Sequence, residues 1–296
     1  MLYNFQKVKG GNKMIDYHVH IGKIFYGRNP LTPKKLIETM NKYGIEKSII
    51  LPIENPEETH FYLTTDYVLK ICKKYREKLI PFCNVDPRRG KNNEKEERIE
   101  KIIEEYVKKG AKGFGEVLAN LQFNDKRMKN IYRACGDLKL SIVFHLGGVP
   151  GNSTIGLTDE IGLPYIEEVL NEFPDTIFVA HGPGWWAEIS GDVTAEERNS
   201  YPKGKIKKEG KVQYLLHNYP NMYADLSAGS GYNALTRDIE YGIEFLNKFY
   251  NKLLFATDYL YPEQELPIID YLKNLNITEE KKKKIFYENA KKLLNI

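Results

Sequence analysis

The chain has 296 residues, of which 42% are hydrophobic, and its 44 basic and 40 acidic residues give a formal net charge of +4. This length suits one large core or two modest ones, and the near balance of charge argues against a nucleic-acid-binding protein. No apolar stretch approaches the roughly 20 residues that cross a bilayer, and the N-terminal residues lack the apolar core of a signal peptide. We therefore expect a cytoplasmic protein without a membrane anchor.

Short apolar runs alternate with amphipathic segments from Met14 almost to the end of the chain. The amphipathic segments carry apolar residues at helical spacing, as Leu36, Met40 and Tyr43 do. Eight apolar runs are typical of strands: residues 14–18, 47–52, 79–84, 111–117, 140–145, 176–181, 222–226 and 253–257.

Strand and helix alternating in this way predict an α/β fold, a single (β/α)8 TIM barrel with parallel strands and right-handed crossovers. An open doubly wound sheet is the alternative. We expect the barrel domain to cover residues 14–296 and to follow an N-terminal extension, residues 1–13, to which we assign no role.

The first predicted strand ends in two histidines, His18 and His20. Alternate residues of a strand point to the same face, so the two imidazoles would project together, about 6 to 7 Å apart along the strand. Imidazole is the commonest protein ligand for zinc and also suits iron, nickel and cobalt. The pair is therefore half of a candidate metal site.

Three later predicted strands end in residues of the same ligand type, His145, His181 and Asp258. A single histidine on an apolar strand is more often a hydrogen-bonded core residue than a ligand. Recurrence at strand ends favours a site, because TIM barrels form active sites where the carboxyl ends of their strands meet. An open sheet would hold strands 1 and 8 far apart.

Strand 4 offers one further candidate ligand. Lys112, Phe114 and Glu116 are expected to share a face of this strand, but Lys112 lies about 13 Å lower along it. Only Glu116 is level with the strand ends.

Several other residues near the strand ends are candidates for binding a substrate. Arg28 could pair with a substrate carboxylate, with simple exposure to solvent as the alternative. The only tryptophans, Trp185 and Trp186, follow His181 and could wall the substrate or anchor their loop to the barrel rim. The remaining candidates are Asn120, Ser227 and Tyr259.

In this order and spacing, these residues resemble the amidohydrolase superfamily, and specifically its amidohydrolase-related (amidohydrolase 2) branch of metal-dependent hydrolases and decarboxylases. The resemblance covers nearly everything from Met14 to the end. It is carried by His18-Val-His20, Gly115-Glu116, His145, His181-Gly-Pro-Gly, Tyr219-Pro-Asn-Met-Tyr-Ala-Asp-Leu-Ser227, Phe255-Ala-Thr-Asp258-Tyr and the closing Ile285-Phe-Tyr-Glu-Asn289-Ala290.

The resemblance implies that His18, His20 and Asp258 bind a divalent metal and that His145 and His181 complete the site. It implies one or two ions, and Glu116 favours two because an acidic residue at strand 4 bridges the metals in such members. We expect zinc, with manganese, iron, cobalt or nickel as alternatives. Exposed barrel helices often pair in this superfamily, so a homodimer is an open option.

The leading functional hypothesis is a metal-dependent hydrolase that cleaves a C–N or C–O bond of a small molecule. Metal-bound hydroxide would be the nucleophile and Asp258 the general base and then the general acid. The alternative is a non-oxidative decarboxylase of an unsaturated or aromatic carboxylic acid, for which Arg28 is the only obvious cationic clamp.

Two further hypotheses have less support in the sequence. A TatD-like phosphodiesterase or nuclease finds support only in the lysine-rich residues 203–211. A structural metal site would be the non-enzymatic alternative. Such sites commonly include cysteine, whereas the three cysteines here are scattered singly.

Overall fold

A computed structural model describes residues 13–57, 60–89 and 97–296. All eight predicted strands are present, with shifted ends. The predicted N-terminal extension lies outside the described residues except for Lys13. The strands are β1 (Met14–Val19), β2 (Ile45–Ile50), β3 (Leu79–Pro81), β4 (Phe114–Val117), β5 (Ser141–His145), β6 (Ile177–His181), β7 (Met222–Asp225) and β8 (Leu253–Leu254).

Helices connect the strands, and several begin at a threonine or aspartate whose side chain accepts a backbone N–H, as Thr32, Thr64 and Asp125 do. None of the described helices has both the length and the apolar character needed to span a membrane. The helices are α1 (Pro33–Tyr43), α2 (Thr65–Lys74), α3 (Glu97–Lys108), α4 (Lys126–Asp137), α5 (Pro164–Glu172), α6 (Pro183–Ala187), α7 (Ala195–Arg198), α8 (Lys211–Asn218), α9 (Ala228–Thr236), α10 (Ile239–Phe249), α11 (Pro267–Asn274), α12 (Glu279–Lys283) and α13 (Asn289–Leu294).

The strands pair in chain order in two parallel sheets, β1-β2-β3 and β4-β5-β6-β7-β8. Isolated backbone contacts cross both gaps between these sheets. A parallel bridge joins Cys83, just after β3, to Phe114 of β4, and the N–H of Tyr17 in β1 donates to the C=O of Phe255, just after β8, at 3.0 Å. Strands 1 and 8 are therefore neighbours, as in a TIM barrel and unlike an open sheet.

Two layers of apolar side chains surround the strands. The inner layer fills the barrel with residues on or next to most of the strands, including Tyr17, Phe82 and Val143. The Tyr17 hydroxyl lies 2.7 Å from the Ser141 hydroxyl, which satisfies a buried polar group inside this layer. The outer layer packs the other face of the strands against the helices. This packing leaves the carboxyl ends of the strands to carry polar groups.

Register shifts in β1 and β4 change which residues face the interior. In β1 the shift falls between Asp16 and Val19, so Tyr17 and His18 both turn inward although they are adjacent. In β4 the shift falls between Phe114 and Val117. Phe114 consequently packs in the outer layer, and the expectation that it shares a face with Glu116 is wrong.

Candidate metal centre

Four side chains converge at the carboxyl ends of β1, β4 and β8. The Nε2 atoms of His18 and His20 are 3.0 Å apart, and Glu116 Oε2 lies 3.3 Å and 3.2 Å from them. Asp258 Oδ1 lies 3.6 Å from both nitrogens. Ligand atoms that share one ion at about 2.0–2.2 Å lie about 3.0–3.6 Å from each other, so this first ligand group fits a divalent metal.

A second ligand group lies beside the first. Glu116 Oε1 is 3.2 Å from His145 Nδ1 and 3.7 Å from His181 Nε2, and Asp258 Oδ2 is 3.9 Å from His181 Nε2. The two oxygens of Glu116 thus face different groups, and so do the two oxygens of Asp258. Nitrogen and carboxylate ligands without thiolates suit zinc, manganese or iron.

Local backbone features place these ligands. Gly115 has φ of 119°, and a Cβ at this position would collide with the carbonyl of Val143, so only glycine allows the turn that presents Glu116. Asp258 also lies in the left-handed region, with φ of 54°. Its N–H donates to the C=O of His18 at 2.8 Å, which holds the residue against β1.

Asp225, at the end of β7, contacts one histidine of each ligand group through the Nδ1 atom of its ring. Its Oδ2 accepts a hydrogen bond from His18 Nδ1 at 2.8 Å, and its Oδ1 accepts one from His181 Nδ1 at 3.1 Å. The sequence analysis did not select this residue, although it ends an apolar strand as Asp258 does. By holding Nδ1–H of both histidines, Asp225 leaves both Nε2 atoms free to bind a metal.

The electrostatics of the cluster favour cations. Burial alone would raise the pKa of the Glu116 carboxyl, but the charge of His18 and hydrogen bonds from His145 and His18 hold it well below its usual range. Burial would lower the pKa of His18, yet Glu116 and Asp225 raise it well above the usual value. Buried carboxylates of this kind stabilise positive charge, whether protons or metal ions.

A cavity of about 580 Å³ opens beside His145, His181 and Asp258. The loops that follow β5, β6 and β7 form its wall, and local sequence patterns do not reveal which loop residues meet there. Residues of the wall that the sequence analysis did not select include Thr154, Ile155, Asn199, Tyr201, Ala228 and Ser230.

The structure does not bring two of the predicted substrate-binding residues to this cavity. Arg28 is exposed, and its guanidinium stacks 4.7 Å from the ring centre of Tyr261. Tyr259 is buried, and its hydroxyl lies 3.4 Å from Thr39 and 3.3 Å from the C=O of Pro262. Neither residue borders the cavity.

Asn120 and Ser227 lie closer but hold other groups. The Asn120 amide donates to the C=O of Ser153 at 3.0 Å and thereby braces the loop after β5. The Ser227 hydroxyl lies 2.6 Å from Asp225 Oδ1 and 2.8 Å from His181 Nδ1. Both residues therefore support the site without lining the cavity.

Both tryptophans are buried and form part of the outer core layer. Trp186 Nε1 donates to the C=O of Asp225 at 3.2 Å, and its ring meets Phe245 edge-on at 6.1 Å between centres. This placement fits the anchoring alternative and not a wall or lid over a substrate.

Trp186→Phe should therefore destabilise the fold by about 1–2 kcal/mol, because it removes a buried hydrogen bond and part of a packed ring. Urea denaturation followed by circular dichroism measures the change. Tyr214→Phe, at an exposed ring, is the control and should stay within about 0.5 kcal/mol. An unchanged midpoint for Trp186→Phe would contradict the anchoring role.

The fold and the cluster define a class of protein, the (β/α)8 proteins with candidate metal-ligand residues at the carboxyl ends of their strands. The amidohydrolase family model matches residues 15–296. The chain therefore belongs to the amidohydrolase family, which confirms the resemblance seen in the sequence. No sequence among the curated proteins matches it.

Solved structures with the same fold have low sequence identity to this chain. An uncharacterised TIM-barrel protein from Bordetella bronchiseptica has a TM-score of 0.65 at 18% identity. The match covers 96% of this chain and 98% of the Bordetella protein. A probable 2-pyrone-4,6-dicarboxylic acid hydrolase from Acinetobacter baumannii has a TM-score of 0.61 at 14% identity. The match covers 96% of this chain and 99% of the hydrolase. The 5-carboxyvanillate decarboxylase from Novosphingobium aromaticivorans, complexed with manganese, has a TM-score of 0.60 at 15% identity. The match covers 97% of this chain and 97% of the decarboxylase.

Proposed function

We propose that this protein is a divalent-metal-dependent hydrolase that cleaves a C–N or C–O bond of a small molecule. The observation that carries the proposal is the position of Glu116, whose two carboxylate oxygens face two separate ligand groups. A carboxylate in this position suits two ions, with His18 and His20 on one and His145 and His181 on the other. Membership of the amidohydrolase family supports an enzyme and leaves the choice between hydrolysis and decarboxylation to the site.

When bound, divalent ions would supply a nucleophile at neutral pH and polarise the substrate oxygen next to the bond that is broken. Asp258 is the one carboxylate that reaches both ligand groups and also borders the cavity. We assign it the proton transfer, in which a carboxylate oxygen accepts the proton of the nucleophile and then delivers it to the leaving group. Asp225 keeps His18 and His181 oriented during this cycle.

A second candidate is a non-oxidative decarboxylase of an aromatic or unsaturated acid. The similar structures of a 2,6-dihydroxybenzoate decarboxylase and of two manganese-containing decarboxylases favour it. Among the described residues, those that border the cavity include no arginine or lysine to clamp a carboxylate, and Arg28 stacks on Tyr261 instead. We therefore rank hydrolysis first on the side chains of this protein.

Metal content per chain tests the proposal directly. Protein purified without chelator should hold about two equivalents of zinc or manganese by elemental analysis, and Glu116→Gln should hold about one, because the amide cannot bridge two cations. Glu188→Gln is the matched control, since this glutamate is equally buried but pairs with Arg198 at 3.3 Å.

Activity then separates the two candidates. A hydrolase should turn over amides, esters or lactones, lose activity with a chelator and regain it with zinc or manganese. One equivalent of metal together with CO2 release from aromatic acids would favour the decarboxylase. Turnover that resists complete metal removal would overturn both.

A further inference from the structure

The chain segment of residues 191–205, which includes α7, forms one side of the cavity but has little buried surface. Within this range only Arg198 and Pro202 are buried, and the other residues are exposed or half-buried. Three consecutive residues of the segment border the cavity: Asn199, Ser200 and Tyr201. Segments with few buried contacts open locally at little cost. The position of this cavity wall therefore depends on what holds its two buried residues.

Arg198 ends α7 and is fully buried. Its Nε donates to the C=O of Gly184 at 3.1 Å, and its Nη1 donates to the C=O of Glu160 at 2.7 Å and of Asp159 at 3.1 Å. Nη1 also lies 3.3 Å from Oε1 of Glu188, which is buried as well. One side chain thus joins α7 both to the loop after β5 and to α6.

The backbone that Arg198 contacts in α6 lies close to the candidate metal ligands in the chain. Gly184 is three residues beyond His181, and its N–H donates to the C=O of Leu146 at 2.9 Å. A Cβ at Gly184 would collide with the C=O of Gly147, so the loops after β5 and β6 touch at this point. The guanidinium therefore joins the cavity wall to backbone that directly follows two of the ligand strands.

A guanidinium suits this place better than an ammonium group. It carries five N–H donors in a rigid plane, whereas lysine presents one compact charge on a flexible chain. Nη2 of Arg198 has no hydrogen-bond partner among the described residues, so the attachment runs through Nε and Nη1. The carboxylate of Glu188 compensates the buried charge, which would otherwise be costly.

We propose that Arg198 is a positioning residue that holds Asn199, Ser200 and Tyr201 at the cavity and thereby sets the affinity for the substrate. Arg198 does not itself border the cavity, so it acts through these neighbours on binding and not on the proton transfer at Asp258. This inference rests on the proposed function, since it takes the cavity to be the active site.

Replacing both members of the buried pair separates position from stability. Arg198→Met alone leaves Glu188 buried without its partner and should lower the midpoint of urea denaturation. The double variant Arg198→Met with Glu188→Gln removes both charges and should recover most of that loss, although the backbone carbonyls still lack their donor. On the best amide, ester or lactone substrate, the double variant should raise KM about tenfold and leave kcat within about twofold of wild type.

Trypsin digestion reports the position of the segment without any substrate. Lys203 and Lys205 are exposed within it, and Lys139 is exposed elsewhere. Cleavage after Lys203 and Lys205, followed by mass spectrometry, should be about tenfold faster in the double variant than in wild type, because the segment opens more often. Cleavage after Lys139 should be unchanged.

Two further variants complete the test. Arg198→Lys keeps the charge and should recover part of both the substrate affinity and the protection from trypsin. The matched control is Arg127→Met with Asp125→Asn, since this pair, 2.6 Å apart at the start of α4, does not border the cavity. The control should keep KM and the cleavage rates after Lys203 and Lys205 within about twofold of wild type.

Three outcomes in the double variant would overturn the inference. KM and the cleavage rates after Lys203 and Lys205 could equal those of wild type, kcat could fall with KM unchanged, or cleavage after Lys139 could accelerate equally, which would indicate a general loosening of the fold. Metal-dependent turnover with unaltered KM and cleavage would contradict this inference alone. Faster cleavage after Lys203 and Lys205 in a protein with no metal-dependent turnover would support the attachment through Arg198 and contradict the proposed function alone.

Discussion

Asp258→Asn should lower kcat about a thousandfold and leave KM nearly unchanged. The amide oxygen can still face the first ligand group, but the side chain no longer accepts the proton of the nucleophile or delivers one to the leaving group. The loss falls on the transition state and not on substrate binding, because the amide keeps the size and shape of the side chain that borders the cavity. Steady-state kinetics on the best amide, ester or lactone substrate measure both constants.

Two further measurements make the Asp258 result interpretable. Metal content of Asp258→Asn, assayed with metal in excess because the amide replaces a carboxylate that faces both ligand groups, separates a proton-transfer defect from loss of the ions. Asp238→Asn is the control, since Asp238 caps α10 and accepts the N–H of Ile206. A variant at Asp258 with wild-type metal content and kcat within about tenfold of wild type would remove this residue from the proton transfer.

The sequence predicted the barrel and most of the ligand cluster because both depend on local patterns. An apolar run marks each strand, and a polar ligand at its carboxyl end must lie at one rim when parallel strands close into a barrel. His145 and His181 illustrate this, since they are paired directly across β5 and β6. The proposal that these side chains bind metal still awaits the metal analysis.

Orientation within a strand was harder to predict. The register shift in β1 turns both Tyr17 and His18 inward, and simple alternation cannot produce that arrangement. In β4, Gly115 at positive φ separates Phe114 from Glu116 in the same way. Such bulges depend on the neighbouring strands and leave only a weak trace in the sequence.

Loop conformation limited the prediction of substrate contacts most. Arg28 and Tyr259 follow strand ends in the sequence, but their side chains find partners outside the cavity. Tyr201 reaches the cavity through the long excursion after β6, and Ser230 lies in the first turn of α9, just after β7. Asp225 was missed for another reason, since it ends an apolar strand but contacts Nδ1 of two histidines and does not border the cavity.

Asp225→Asn should weaken metal binding about a hundredfold in at least one of the two ligand groups. The carboxylate accepts Nδ1–H from His18 and from His181, whereas an amide offers one oxygen and one NH2 group. One of the two histidines must then lose its hydrogen bond or move its proton to Nε2, where it blocks the metal. Competition with a chromophoric chelator measures the affinities.

Asp159→Asn is the matched control for Asp225→Asn. Asp159 is also buried, but its oxygens accept only backbone N–H groups, at 2.8 Å from Glu160, 3.0 Å from Tyr165 and 2.8 Å from Ile166. This variant should lose stability and keep the wild-type metal affinity. Equal metal affinity in Asp225→Asn and wild type would show that the histidines need no carboxylate to set their tautomers. Loss in one ligand group alone would show that only one histidine depends on Asp225.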